Sequence, residues 1–85
     1  MSPLAGDLTF PRMREWLERA DELAAAGQLD LGRVEHADSA GVAFLLELTR
    51  RARSSGRDLV LANVGQDLRG LLEFLQVDDV LKLQG

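Results

Sequence analysis

The sequence predicts a small α/β domain: a mostly parallel β-sheet of about four strands alternating with three or four helices, as one domain over residues 1–85. Three observations predict it. Apolar residues recur at helical spacing in three stretches, short apolar runs of strand character lie between them, and the two kinds of segment alternate along the chain. Strands that alternate with helices pair in parallel through right-handed crossovers. No linker, repeat or low-complexity stretch divides the chain, and its length suits one domain.

Each element has its own signature. Leu4 and Ala5 end a short first strand, closed by Gly6-Asp7. Thr9 is placed to cap a first helix, and Pro11 sits in its first turn, where a missing N–H costs nothing. Met13, Trp16, Leu17, Ala20, Leu23 and Ala24 then form one apolar stripe, and Gly27 stops the helix. Leu29 and Leu31 alternate with polar neighbours and Val34 follows, which reads as a strand and its exit. Asp38-Ser39 opens a second helix over residues 40–54, ended by Ser54-Ser55-Gly56. The continuous apolar run 59–62 fits a strand covered on both faces. After a loop at 63–66, Asp67 caps a third helix whose buried face is Leu68, Leu71, Leu72 and Leu75. Residues 80–83 make a short last strand.

The totals exclude several classes of function. Fourteen acids against ten bases leave a net charge of −4, so nucleic acid is not the expected partner. Nine of the ten bases are arginine. The absence of cysteine removes disulfides, thiolate nucleophiles and cysteine-based zinc sites. No apolar run reaches the ~18–20 residues of a membrane span, and residues 1–6 do not resemble a signal peptide. The expected location is therefore cytoplasmic, with no direct membrane insertion.

Catalytic patterns are equally sparse. No G-x-S-x-G, P-loop, G-x-G-x-x-G or H-E-x-x-H motif occurs. The single histidine, His36, is either a partly exposed loop residue or half of a Ser39–His36 dyad, for which no Gly-rich oxyanion turn is present. The acid pairs Asp21-Glu22 and Asp78-Asp79 read as solvated surface, since neighbours on a helix do not face each other. Arg50, Arg51 and Arg53 either complement the C-terminal end of the helix dipole or touch an acidic partner. No catalytic residue, metal or cofactor is expected.

The informative segment is the start of the second helix. Ser39 stands where a side-chain oxygen can accept from the free N–H groups of the first turn. It is either a plain cap or a cap that is also a phosphorylation switch, although Asp38 beside it would oppose a phosphate. Gly41 costs about 1 kcal/mol against alanine inside a helix, which close packing or a contact site would explain. At about 100° per residue, Gly41, Leu45, Leu48 and Ala52 centre one face, with Phe44 and Val42 on its shoulders. Ala43 and Leu46 fall on the opposite side with Ala40 nearby, which suggests a contact surface. The expected contact or modification site is Asp38, Ser39, Ala40, Gly41, Ala43 and Leu46.

These residues resemble the STAS domain, the fold first associated with bacterial anti-sigma factor antagonists. The resemblance rests on the strand around Leu29-Asp30-Leu31 feeding Asp38-Ser39-Ala40-Gly41, on Gly56, and on the segments 59–62 and 72–81. It covers nearly the whole chain. Within that family the run from Ser39 to Leu46, Arg50-Arg51-Ala52 and the stretch 61–64 are similar to the MlaB-like subgroup. That resemblance implies a non-enzymatic subunit that binds the ATPase of an ABC complex. The complex, with its permease and periplasmic lipid-binding component, moves phospholipid and maintains outer-membrane asymmetry. The subunit would be peripheral to the inner membrane through this partner. The resemblance also makes Ser39 the family's hydroxyl position. Its alternative implication is an anti-sigma factor antagonist that binds an anti-sigma kinase when Ser39 is unmodified.

Overall fold

In the computed structural model, which describes residues 2–84, the strands β1 (Ser2–Ala5), β2 (Gln28–Arg33), β3 (Val60–Ala62) and β4 (Lys82–Gln84) form one sheet in the order β1-β2-β3-β4. Every neighbouring pair is parallel. Parallel neighbours need crossovers, and the chain supplies a helical connection in each of the three gaps. Right-handed crossovers that always step the same way carry their helices to one face of the sheet. The strands show this one-sidedness. Leu29 lies opposite Leu61, and Leu61 opposite Leu83, as a leucine row under the helices. The alternate positions of β2 and β4 are polar, with Val60 and Ala62 of β3 between them: the Gln28 amide donates to Gln84 Oε1 at 2.7 Å, reaching across β3, and the Asn63 amide donates to Asp30 at 3.0 Å.

The first helical stretch is not one helix. A 3-10 turn at Phe10–Arg12 leads into α1 (Met13–Glu18), Arg19 breaks the path at φ −103° and ψ 8°, and α2 (Ala20–Ala24) follows. Thr9 occupies the cap position, but the bond there comes from its backbone carbonyl, which accepts from Arg12 N. Trp16 is buried, its indole Nε1 donating to the Asp7 carbonyl at 2.9 Å and its ring tilted against Phe44 at 6.3 Å. The tightened turn, in which Arg19 N reaches Trp16 O, puts the stripe out of phase. Ala20, Leu23 and Ala24 stay in the core, while Leu17, expected on the buried stripe, is 52% exposed. Gly27, at φ 81°, ends the stretch in the left-handed region that suits glycine.

The second helix, α3 (Ser39–Ser54), buries the expected face: Gly41, Val42, Phe44, Leu45, Leu48 and Ala52, with Thr49 donating back to the Leu45 carbonyl. The last helix, α4 (Gln66–Phe74), is capped in position by Gly65 rather than Asp67, which lies within its first turn. Leu68 and Leu72 are buried and Leu71 is partly so, but Leu75 falls beyond the helix end and is exposed. A nine-residue helix is too short to carry a fourth leucine to the core. The last strand begins two residues later than its apolar run, because Val80 closes a turn onto the Val77 carbonyl and stays exposed.

The break at Arg19 makes a direct prediction for urea unfolding. Leu23→Ala removes a fully buried side chain and should cost about 2–5 kcal/mol. Leu17→Ala should change stability by less than about 0.5 kcal/mol. Equal losses would mean that a continuous helix buries both.

Candidate docking surface

The entrance of α3 is organised by Asp38. Its backbone is extended, at φ −124° and ψ −173°, and its side chain is the cap. Oδ1 accepts from Gly41 N at 3.1 Å and Oδ2 accepts from Phe10 N at 3.0 Å. The carboxyl sits below its ordinary value chiefly because the Phe10 amide favours the charged form, aided by Gly41 and Ala40. The sequence expectation gave the capping oxygen to Ser39. Both residue types cap well, and the Phe10 amide, brought in by the tertiary fold, selects Asp38. Ser39 is instead the first residue of the helix, with an exposed side chain.

The bare first turn is approached by the chain itself. Leu8 N donates to the His36 carbonyl at 2.8 Å, and Asp38 N donates to the Leu8 carbonyl at 3.1 Å. Leu8 thereby crosses the start of α3 and is fully buried. A Cβ on Gly41 would collide with the Leu8 carbonyl oxygen and sit 2.8 Å from Leu8 Cβ. Gly41 is thus explained by close packing, and being buried it offers no surface to a partner.

What remains outside is an apolar groove of about 290 Å³ lined by Phe10, Met13, Leu17, Ala40, Ala43 and Glu47, with Phe44 at its floor. Phe10 is 74% exposed, and Ala43 is exposed as expected. Ser39 precedes Ala40 in the chain and is not part of the groove lining. Leu46 does not belong to it: the residue is half-buried and packs on the core. Of the expected site residues, the groove therefore takes in Ala40 and Ala43, while Ser39 is exposed at the start of the helix without lining it, and Gly41 and Leu46 are turned to the core. Sequence reasoning missed Phe10, Met13 and Leu17 as surface residues. Phe10 lay off the stripe beside Pro11, an available signal, whereas Leu17 matched the stripe until Arg19 broke it.

The other candidates resolve differently. His36 lines a separate cleft of about 250 Å³ with Glu35, Ala37 and the first turn of α4. Ser39 does not line that cleft, and among the described residues no hydrogen bond joins the two side chains. The arginine cluster is largely engaged within the chain. Arg50 and Arg51 both bond Glu47 at 2.7 Å, Arg51 also reaches Asp21 at 3.0 Å, and Arg53 donates to the Val80 carbonyl. The two guanidinium groups pull the Glu47 carboxyl down to about 2. Among the described residues, no helix is long and apolar enough to cross a membrane.

A family model described as "Mlab, STAS domain" matches residues 3–84. No curated protein matches the chain. The four-stranded parallel sheet with its helices agrees with the family match, and the chain belongs to the STAS domain family, of the MlaB type.

Two predictions follow from the geometry at the α3 entrance. Ser39→Ala should alter stability by less than about 0.5 kcal/mol, whereas Gly41→Ala should cost about 1–3 kcal/mol through overpacking against Leu8, despite alanine's helix propensity. Chemical denaturation compares them. Asp38→Ala should destabilise at pH 7. A carboxyl whose folded pKa is depressed contributes stability that is present above its unfolded value, near 3.8, and lost as pH falls through the folded one. The gap between wild type and Asp38→Ala should therefore narrow below pH 3.8. A gap that widens on acidification would contradict the assignment.

Proposed function

We infer that this chain is a non-enzymatic subunit that docks on the ATPase of an ABC phospholipid-transport complex through the surface between α1 and the entrance of α3. The observation that carries the reading is the apolar groove of Phe10, Met13, Leu17, Ala40 and Ala43 in a chain of the MlaB-type STAS family. STAS domains are generally interaction domains. A groove with two small residues on one wall and an aromatic ring on the other suits a protruding side chain or a helix of a larger protein. Such anchors supply most of the energy of a protein interface. The location that goes with this role is the cytoplasmic face of the inner membrane, reached through the ATPase. A charged substitution at the groove would bury an unpaired charge in the contact, a large loss for a small change.

The test is affinity capture of the full-length chain from its native host, followed by binding measurements with the purified ATPase. Wild type should recover the ATPase together with its permease. Ala43→Glu, which projects from the outer face of α3, should keep the circular-dichroism spectrum and unfolding midpoint and weaken binding tenfold or more. Recovery of an anti-sigma kinase in place of the ATPase, with binding abolished by phosphate on Ser39, would replace this reading with the switch.

A further inference from the structure

The charged side chains of α1 and α2 are mostly paired within the chain. Arg12 holds Glu15 at 2.9 Å, Arg19 reaches Glu22 at 3.5 Å, and Asp21 is bound by Arg51 at 3.0 Å. Among the described residues, Arg14 and Glu18 have no ion pair within the chain. Both are exposed, their signs are opposite, and a spacing of four residues puts them on one side of α1. With Pro11 and Glu15 they line a shallow depression that shares Phe10, Met13 and Leu17 with the apolar groove. These three residues therefore form a ridge, with the alanine-walled groove on one side and the two unpaired charges on the other. Phe10 is 74% exposed and Leu17 is 52% exposed, so the ridge is largely uncovered. An apolar knob, a hole lined by Ala40 and Ala43, and both signs of charge thus lie side by side on one surface. A two-fold contact between identical surfaces needs this self-complementarity, since each copy must offer what the other receives.

We propose that this face pairs with a second copy of the chain, α1 antiparallel to α1, with the two ridges in contact and Arg14 of each copy beside Glu18 of the other. A two-fold axis perpendicular to α1 forms that ion pair twice, whereas a parallel arrangement would oppose like charges. A partner surface of a single sign would satisfy only one of the two residues. The apolar ridges supply the attraction, and the exposed ion pairs, worth little energy, set the orientation. The six residues of α1 and their neighbours fall well short of the roughly 20–30 residues a side of a stable interface, so the dimer is weak and gives way to a stronger partner. The pairing stands independently of whether an ATPase docks on the groove.

Sedimentation equilibrium of the full chain alone, at low salt, tests it. The apparent mass should rise from one chain towards two as the concentration is raised from about 10 µM to about 1 mM. Arg14→Glu and Glu18→Arg should each weaken association about tenfold, by turning both ion pairs into like-charge contacts, while leaving the unfolding midpoint in place. The double reversal, Arg14→Glu with Glu18→Arg, should restore association to within about threefold of wild type. A chain that stays monomeric throughout, a mass that climbs beyond two chains, or single reversals without rescue in the double variant would each overturn the proposal. Because the ATPase is absent from this measurement, a failure of the chain to dock on it and a failure to self-associate are read separately.

Discussion

Both oxygens of the Asp38 carboxylate are committed, one to the first turn of α3 and the other to the backbone of Phe10, 28 residues earlier. A single side chain thus ends one helix correctly and fixes where the preceding segment lies. Leu8 completes the arrangement. Its carbonyl accepts from Asp38 N while its backbone passes so close to Gly41 that no larger residue fits. Remove either constraint and Phe10 has no reason to stand beside Ala40 and Ala43. The apolar groove is a consequence of this junction rather than a property of either helix alone.

The sheet explains why the junction sits where it does. Sequential parallel strands stepping one way gather the helices on one face and leave the other to polar pairs such as Gln28 with Gln84. α3 occupies the middle of the helical layer, with Leu45 and Leu48 fully buried on the leucine row. Its N-terminus emerges at the carboxyl ends of the strands, where α/β sheets commonly present their binding surfaces. A rigid central helix with a clamped entrance gives a partner a preformed target.

Much of this was legible in the sequence. Strand and helix alternation gave the parallel sheet, and the wheel of α3 gave its buried face, from Gly41 through Ala52, because one long helix keeps its phase. The losses came where a local pattern meets a distant contact. Asp38 and Ser39 are equally good caps by type, and only the Phe10 amide separates them. Gly41 was visibly anomalous, yet the sequence did not say that the approaching backbone is Leu8. Leu17 fitted a continuous stripe, and the break at Arg19 leaves no mark in a hydrophobic pattern. Leu46 fell opposite the core on an ideal wheel but packs at its edge, since the helix is covered on more than one side.

The proposed docking role assigns the contact to the groove between α1 and the entrance of α3 in this STAS-family chain. Methyl-resolved NMR of the labelled chain with the purified ABC ATPase addresses this most directly. The account predicts that the methyl signals of Leu17, Ala40 and Ala43 shift or broaden first, while those of Leu71 on α4, Leu75 just beyond it and Val60 on the open sheet face hold their positions. Perturbation confined to α4 or the open sheet face, with the groove methyls silent, would contradict it.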